Sequence, residues 1–434
     1  MSSIAQITET LQAVLIQKAN CLARTTGFIQ RKVKWDGYSF IQTLMLGFLS
    51  RPDASYSQLG QTAAAVGVSI SNQGLEQRFT ERAADFVYEV LQVMIAQVVR
   101  ATCNPYRVLD SFRGIYIRDS SVVSLPHSLV DVWRGVGSKG GETAALKLHV
   151  NLNYQTGQMH GPSIQEARAH DQTSAFQTER LPAGALHLAD LGYFNLDRFA
   201  EDDAAGVFWI TRLKLSTNVY DTDGQPLELV GWLATIEERV VERQVYLGKE
   251  HRLCCRLVAA RVPQAVADRR RQALKEWARK KQKPISTMRL KLADWTVVVT
   301  NVPEEELSGH EVLTLLRVRW QIELLFKVWK SYLKVDEWRS RNPWRILCEI
   351  YAKLIGACMS QWLFAVSLWP YPDRSMFQAT STVQQWAIAI AVAIQNPAQL
   401  EATLTALCNC LVAGCRQQKR KKHPATFQQL LNLR

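Results

Sequence analysis

The pattern of apolar residues changes along the chain, and this change restricts the possible folds more than any other feature. Residues 4–22 and 83–99 carry apolar side chains at the spacing of α-helices. From about Arg113, short apolar or alternating runs separated by turn residues take over, and such runs are typical of strands. They occupy residues 114–123, 146–153, 159–164, 185–189 and 207–213, with a helical pattern at 172–180 between the third and the fourth. This order predicts a mixed α/β sheet.

The segment 214–293 has a different pattern. Strand-like runs at 240–247 and 253–262 are followed by a long basic helix at 263–283. Between Arg269 and Lys283 there are eight Lys or Arg residues and one acid, Glu276. A charge run is more often a solvated face than a binding site. Because the earlier strand pattern returns at 295–300, we interpret 214–293 as a β-rich insertion with a basic helix.

The chain closes with helical patterns at 309–335 and 343–369, further helices up to Leu411, and a basic tail. A membrane span needs about 18 consecutive apolar residues. The most apolar stretch, 344–369, is interrupted by Arg345, Glu349, Lys353 and Gln361. We therefore expect no membrane span.

Charge and cysteine content indicate the partner and the compartment. The chain of 434 residues carries 52 Lys plus Arg against 39 Asp plus Glu, a formal net charge of +13. Excess positive charge attracts polyanions, which favours nucleic acid as the partner. The N-terminus lacks the pattern of a signal peptide, and nine cysteines form no paired framework. We expect reduced thiols and a cytoplasmic location.

Residues 56–79 have the pattern of a helix-turn-helix motif. A helix of small residues at 58–65 is followed by a turn at Gly67 and by a second helix that Ser69 or Ser71 can cap. Apolar side chains are available to hold the two helices together. The alternative is a plain helical hairpin in a bundle. The polar side chains left to face a DNA groove are Ser71, Asn72, Gln73, Gln77 and Arg78.

Two aspartates stand where an apolar strand is expected to continue or end. Asp119 interrupts the run 115–123, and Asp190 follows the run 186–189. An ionised carboxylate on or beside a buried strand is costly unless a cation or hydrogen-bond donors compensate it. Each aspartate is therefore a candidate functional group, although aspartates at strand ends also cap turns.

A third set of charges lies in the predicted helix at 313–330. At about 100° per residue, Arg319, Glu323 and Lys330 lie on one narrow face. The simplest alternative is an exposed helix with an ion pair between Arg319 and Glu323. Because the neighbouring side chains are apolar nearly all round, we expect burial, and buried charges need a partner or a function.

These residues together resemble the DDE transposases of bacterial cut-and-paste insertion sequences. Asp119, Asp190 and Glu323 occur in the expected order, with Arg319 four residues before the glutamate and Lys330 seven residues after it. The resemblance is to the branch with a Tyr-Arg-Glu-Lys signature and covers about residues 50–360. It implies a ribonuclease H-like mixed sheet of the retroviral integrase superfamily, with a β-rich insertion between N-terminal and C-terminal helical domains.

The resemblance also implies domain limits. They are an N-terminal helical DNA-binding domain at 1–105, a catalytic core at 106–213 and 294–342, the β-rich insertion with its basic helix at 214–293, and a C-terminal helical domain with a basic tail at 343–434.

The resemblance implies roles for individual residues. Asp119, Asp190 and Glu323 match the catalytic triad that binds metal. Arg319 and Lys330 match signature residues that contact phosphates at the transposon end, and we add Lys327 of the same helix as an expected DNA contact. Trp295 matches a tryptophan that stacks on a base flipped out of the duplex, although an ordinary core tryptophan at a strand start has the same pattern.

Two positions depart from the family pattern. Leu316 stands where the signature tyrosine is expected, three residues before Arg319, which removes one hydroxyl contact to phosphate. Leu191 replaces a residue that is often polar or basic in relatives.

Three carboxylates favour Mg²⁺, with Mn²⁺ as a substitute, because these hard cations prefer oxygen ligands. Two such ions can activate the attacking oxygen and neutralise the leaving oxygen of a phosphodiester. A zinc site formed by Cys408, Cys410, Cys415 and His423 is the alternative, but their spacing matches no common zinc finger.

The function we expect is that of a transposase. It would bind the terminal inverted repeats of its element in double-stranded DNA through the N-terminal helical module and the basic insertion, and pair the ends as a homodimer. It would then cleave by metal-dependent hydrolysis and join the 3′-OH ends to target DNA. A bacterial cytoplasmic, nucleoid-associated location would follow. The alternatives are an inactive or domesticated transposase acting as a DNA-binding repressor, and a ribonuclease H-like DNA nuclease.

Overall fold

The computed structural model describes residues 3–31, 35–137, 141–169, 179–422 and 424–433. Its N-terminal part is helical, as the apolar spacing predicted. A π-helical segment, Ala13–Lys18, continues the first helix into the second and buries Val14 and Leu15. The helices are α1 (Ser3–Gln12), α2 (Ala19–Thr25), α3 (Gly37–Ser50), α4 (Tyr56–Ala65), α5 (Asn72–Glu76) and α6 (Glu81–Ile95).

A mixed sheet follows, which confirms the predicted fold class. Among the described residues, nine strands form one sheet in the order β3-β2-β1-β4-β5-β9-β8-β7-β6. The strands are β1 (Ile115–Leu125), β2 (Ala144–Asn153), β3 (Met159–Glu166), β4 (Leu186–Ala189), β5 (Phe208–Arg212), β6 (Val219–Tyr220), β7 (Val240–Leu247), β8 (Leu253–Arg261) and β9 (Trp295–Thr300).

This sheet contains both parallel and antiparallel strand pairs. β4 runs parallel to both β1 and β5. β9 pairs antiparallel with β5 on one side and with β8 on the other, so the strands of segment 214–293 extend the same sheet. The helix predicted at 172–180 lies, up to residue 178, outside the described residues.

Five helices lie between or after the later strands of the described chain. The basic helix predicted at 263–283 is observed as α9 and ends at Gln282, which adopts a left-handed conformation with φ of 51°. The helices of this region are α7 (Leu196–Ala204), α8 (Leu229–Ala234), α9 (Gln264–Lys281), α10 (Thr287–Lys291) and α11 (Gly309–Val318).

The prediction of one continuous helix over 309–335 was wrong. The helix is interrupted at Arg319, which caps α11, and a separate helix α12 (Trp320–Ser331) follows. Arg319 keeps helical dihedral angles, so the interruption lies in the hydrogen-bonded ladder rather than in a reversal of the backbone. The chain then leaves the helix at Ser331, and Lys334 has a positive φ of 48°.

The remaining helices are α13 (Pro343–Ser367), α14 (Met376–Ala393), α15 (Pro397–Gly414) and α16 (Thr426–Leu431). α13 packs against α3 and α6. It is long and apolar enough to cross a membrane, but 94% of its most apolar window is buried inside the protein. We therefore assign it as a core helix.

The chain forms two compact units, each drawn from several segments. The first unit contains Met1–Pro105, Asp119–Phe176 and Gln321–Arg420. The second contains Tyr106–Arg118, Gln177–Trp320 and Lys421–Arg434. β1 thus begins in the second unit and continues in the first at Asp119. The five domain limits expected from the sequence remain a prediction.

Candidate active site

Asp119 lies within β1 and is partly buried. One of its carboxylate oxygens, Oδ1, accepts a hydrogen bond of 2.8 Å from the backbone N–H of Ser120. This bond restrains the orientation of the side chain.

Asp190 follows β4 and stands immediately before a single 3₁₀ turn, Leu191–Tyr193. Arg319 is its charged neighbour, with Nε 3.4 Å from Oδ1 of the aspartate. The Arg319 side chain is 13% exposed and the Asp190 side chain 39% exposed. The second predicted acid is therefore already paired with the predicted signature arginine, and it is still open to solvent.

Register relates the two aspartates to one pair of neighbouring strands. In the parallel pairing of β1 with β4, Ile117 is level with Leu188. Asp119 stands two residues after Ile117, and Asp190 stands two residues after Leu188. Each aspartate therefore follows the same registered pair by the same number of residues.

Glu323 and Lys330 are both carried by α12 and are both partly buried. The Nζ of Lys330 donates a hydrogen bond of 2.9 Å to the carbonyl of Val122, three residues after Asp119. This bond ties the end of α12 to the part of β1 that follows the aspartate. Lys327 is exposed, and its Nζ lies 5.9 Å from the centre of the Phe377 ring.

The three acids are divided between the two compact units. Asp119 and Glu323 belong to the first unit and Asp190 to the second. Within the described parts of the chain, no group of three or more His, Cys, Asp or Glu side chains is close enough to hold a metal ion. The donor chemistry itself fits a hard divalent cation, because all three side chains offer carboxylate oxygens.

A buried charge network next to these aspartates was not predicted from the sequence. Arg118, the residue before Asp119, is 2% exposed, and its Nη2 donates to the carbonyl of Glu179 at 3.0 Å. On β4, His187 places Nδ1 3.7 Å from Asp202, and Arg198 places Nε 3.1 Å from the same carboxylate. The sequence shows that an arginine occupies a strand position, but it does not show that this arginine is buried.

Burial governs the titration of this network. Desolvation lowers the pKa of His187, although the nearby Asp202 carboxylate acts in the opposite direction. Burial also lowers the pKa of Arg118, and the nearby charge of Arg198 adds to that effect. His187 is therefore neutral near pH 7, and Asp202 offsets the positive charges of the two arginines.

Trp295 packs into the protein in this conformation. It is 8% exposed and belongs to a core cluster of the second unit, together with Trp209 and Val297. The guanidinium of Arg261 lies 4.8 Å from the centre of its ring. The alternative of an ordinary core tryptophan thus describes its present surroundings, and stacking on a base would require the indole to be uncovered.

Leu316 is also buried, with 7% of its surface exposed. At the position where the family signature has a tyrosine, this chain therefore contributes apolar packing. Leu191, the smaller departure, is 40% exposed.

The helix-turn-helix pattern corresponds to α4, a turn, and a second helix of only five residues, α5. Gly67 has a φ of 89° in the turn, and the Ser71 side chain caps α5 by accepting from the N–H of Gly74. Leu75 is fully buried between the elements. The side chains of Ser71, Asn72 and Gln73 are exposed and that of Arg78 is partly exposed.

The cysteine-rich segment gives no support to a zinc site. Cys408 and Cys415 are buried, whereas Cys410 is exposed. His423 lies outside the described residues.

Comparison with known proteins places these features in a family. Residues 110–359 match the protein family described as Transposase DDE domain. The chain is 29% identical over 435 residues to a transposase for insertion sequence element IS231F from Bacillus thuringiensis subsp. israelensis, covering 94% of this chain and 90% of that protein. It is 26% identical to a transposase for insertion sequence element IS1151 from Clostridium perfringens, covering 80% and 77% respectively.

A solved structure of a piggyBac transposase synaptic complex with hairpin DNA is also similar. The TM-score is 0.46 at 9% sequence identity, covering 94% of this chain and 80% of that one.

Proposed function

The chain belongs to the DDE-domain transposase family and is a transposase enzyme, and from this premise we propose how its residues act on DNA. The proposed reaction begins with binding of the element's terminal inverted repeats. Cleavage by metal-dependent hydrolysis then frees 3′-OH ends, which are joined to target DNA. Membership of this family implies dependence on a divalent metal, and we propose Mg²⁺, with Mn²⁺ as a substitute.

Asp119, Asp190 and Glu323 are the proposed catalytic triad. The observation that carries this assignment is the parallel register of β1 and β4, with each aspartate two residues beyond the level pair Ile117 and Leu188. Asp190 follows the carboxyl end of β4, the edge at which ligands are commonly bound in parallel sheets, whereas Asp119 lies within β1, which continues to Leu125. When bound, a pair of divalent ions would neutralise charge on the attacking and leaving oxygens.

Two cationic residues complete the proposed site. Arg319 holds the Asp190 carboxylate through its ion pair, and a planar guanidinium has the geometry that suits a phosphate. Lys330 is anchored on the Val122 carbonyl, from which a small movement of its flexible side chain would bring the ammonium to a phosphate of the bound end. We assign both residues to holding the DNA end.

DNA recognition outside the catalytic site is assigned to the N-terminal helices. Ser71, Asn72, Gln73 and Arg78 would contact the inverted repeat, with Lys327 as a further phosphate contact. Trp295 would stack on a flipped base only after its indole is uncovered. The active assembly would be a homodimer that pairs two ends, acting at the nucleoid in the bacterial cytoplasm.

The proposal is tested with purified full-length protein and a labelled duplex carrying its own element end. With Mg²⁺, the wild type should release a 3′-OH end and transfer it into plasmid DNA, read on a denaturing gel. Asp119→Asn, Asp190→Asn and Glu323→Gln should each abolish cleavage, because each removes a charged metal ligand, while end binding stays nearly unchanged.

The exposed Glu305 supplies a matched control, since Glu305→Gln removes the same charge from the surface. This variant should cleave like the wild type. Cleavage at the wild-type rate by any triad variant would refute the assignment of that residue.

The buried Leu316 favours one alternative, a DNA-binding repressor that has lost catalysis. That function predicts binding of the inverted repeat without metal-dependent cleavage by the wild type. Cleavage without transfer of the labelled 3′ end would instead indicate a ribonuclease H-like nuclease.

A further inference from the structure

The basic helix α9 has two faces with different contacts. On the inner face, Ala267 is fully buried. Arg270 donates to the carbonyl of Trp295 at 2.9 Å and to the hydroxyl of Thr296 at 2.9 Å. Arg271 forms an ion pair with Asp294. These two arginines therefore hold the helix against the start of β9, and their charged groups are bound by residues of the protein itself.

The outer face carries a stripe of cations. At about 100° per residue, Arg269, Lys275, Arg279 and Lys280 fall within about 140° of arc, on the side opposite Ala267. All four are exposed. At 1.5 Å rise per residue the stripe is roughly 17 Å long.

Two exposed acids, Asp268 and Glu276, fall on the same arc, but both are engaged by residues other than these four cations. Asp268 forms an ion pair with Arg271. None of these four cations has an ion pair with any residue that the structure describes. The one acid between Arg269 and Lys283 is Glu276, whose Oε1 accepts instead from Gln272 at 3.1 Å. The arc therefore keeps an excess of positive charge, and it places like charges four residues apart at Lys275 and Arg279, an arrangement that destabilises a helix unless an anion compensates it.

An exposed aromatic residue extends this surface. Trp277 is 41% exposed, and the guanidinium of Arg289 on the neighbouring helix α10 lies 5.6 Å from the centre of its ring. The surface therefore carries a net positive charge and is exposed along its length. Its complement is a regular array of negative charges, and duplex DNA carries one phosphate charge per about 1.7 Å of helix axis.

We infer that the outer face of α9 is a phosphate-binding surface that holds duplex DNA without reading its sequence. The inference rests on the proposed function in taking DNA as the partner, and it adds a binding site separate from the triad and from the helix-turn-helix residues. Arg269, Lys275, Arg279 and Lys280 contact the DNA backbone, whereas Arg270 and Arg271 keep the helix in place.

Salt dependence of binding provides the test, because each phosphate neutralised by a cation adds about 0.9 to the slope of log K against log salt. Full-length protein is titrated with two labelled duplexes, one carrying the inverted repeat and one with that sequence scrambled. The variant R269Q/K275Q/R279Q/K280Q should lower the slope by about 3 to 4 on both duplexes. The ratio of the two affinities should not change.

Two controls distinguish the effect of the α9 cations on the slope from the effect of the total charge of the protein. The variant R416Q/K419Q/K421Q/K422Q removes four exposed cations from the C-terminal tail and should keep the wild-type slope. The charge-preserving variant R269K/K275R/R279K/K280R should also keep it. Circular dichroism and the thermal midpoint check that every variant is folded.

An unchanged slope in the glutamine variant of α9 overturns the inference. So does an equal loss in the tail variant, or a loss confined to the inverted-repeat duplex, which would indicate sequence reading. Each of these results can occur while the wild type still cleaves its end, so they leave the proposed function standing. Failure of the wild type to cleave is scored separately on the denaturing gel.

Discussion

Nε of Arg319 lies 3.4 Å from Oδ1 of Asp190 and so joins the break between α11 and α12 to the end of β4. The pair is only partly exposed, and it couples a predicted phosphate contact to a predicted metal ligand. A guanidinium in this position compensates the carboxylate before any metal is bound. It also restrains the direction in which the carboxylate points.

Arg319→Ala should lower the rate of end cleavage by about 10- to 100-fold, the usual cost of removing a group that orients a metal ligand. Arg319→Lys should recover part of the rate, because the charge is kept and the planar fork of donors is lost. The measurement is the initial cleavage rate over a range of Mg²⁺ concentrations.

The neighbouring Arg317 is exposed and serves as a control for loss of positive charge from the same region. Arg317→Ala should change the rate much less than Arg319→Ala. If both variants cleave at the same rate, the ion pair with Asp190 has no role in the reaction.

Lys330 and Lys327 are two predicted DNA contacts on α12 with different surroundings. Lys330 is held by the carbonyl of Val122 near Asp119, whereas Lys327 is exposed beside Phe377. We therefore expect Lys330→Met to reduce cleavage more than Lys327→Met. Single-turnover cleavage of the labelled end compares the two variants, and the reverse ranking would contradict the assignment of Lys330 to the site.

Local patterns in the sequence were sufficient for most of the elements. β2 was predicted at 146–153 and begins two residues earlier, and α9 was predicted at 263–283 and spans Gln264–Lys281. Apolar periodicity identifies such elements because it records which side of each one is buried. It does not record strand neighbours. The pairing of β9 with both β5 and β8, which extends the core sheet through segment 214–293, depends on contacts between distant residues.

The site was only partly predictable for the same reason. The acids and Arg319 were found from their order and from charge in apolar surroundings, yet the ion pair between Arg319 and Asp190 depends on the break in the helix. A tryptophan at a strand start has the same sequence pattern whether its ring is buried or exposed, and in the structure the ring of Trp295 is buried. The network of Arg118, His187 and Asp202 joins segments whose proximity no local pattern encodes.

The buried ion pair between Glu349 and Lys353 on α13 stabilises the turn after α12. Lys353 Nζ lies 2.7 Å from Glu349 Oε1 and donates at 2.9 Å to the carbonyls of both Lys334 and Glu337. Both side chains are at most 2% exposed. Burial raises the pKa of Glu349 and lowers that of Lys353, each against the attraction of its partner.

Lys353→Met should lower the free energy of unfolding by about 3–5 kcal/mol, because it leaves a buried carboxylate and two carbonyls without a donor. The double variant Glu349→Leu/Lys353→Met should cost less than Lys353→Met alone, since no unpaired charge is left. Urea denaturation measures both. Lys334 forms an exposed pair with Glu337, so Lys334→Met is the control and should cost less than about 1 kcal/mol. A larger loss in the double variant would contradict this account.

Because the chain contains buried thiols, we expect its free energy of unfolding to fall at alkaline pH. Burial raises the pKa of Cys358 to about 12 and that of Cys408 to about 11, from an ordinary value of 9.0. A thiol whose pKa is raised in the folded protein keeps its proton there while the unfolded chain loses it. Its contribution to stability is therefore complete below pH 9 and is lost as the pH rises through the folded-state pKa.

For Cys358, the free energy of unfolding should fall by about 1 kcal/mol between pH 8 and pH 10. The reason is that pH 10 lies one unit above the pKa of the thiol in the unfolded chain. Cys358→Ala should therefore lose less stability over this interval than the wild type, even though the variant is weaker at pH 8. Cys21 is exposed, and Cys21→Ala should follow the wild type at both pH values. The comparison is made by urea denaturation under reducing conditions. Equal losses in the wild type and in Cys358→Ala would show that this thiol stays protonated in both states or ionises without cost.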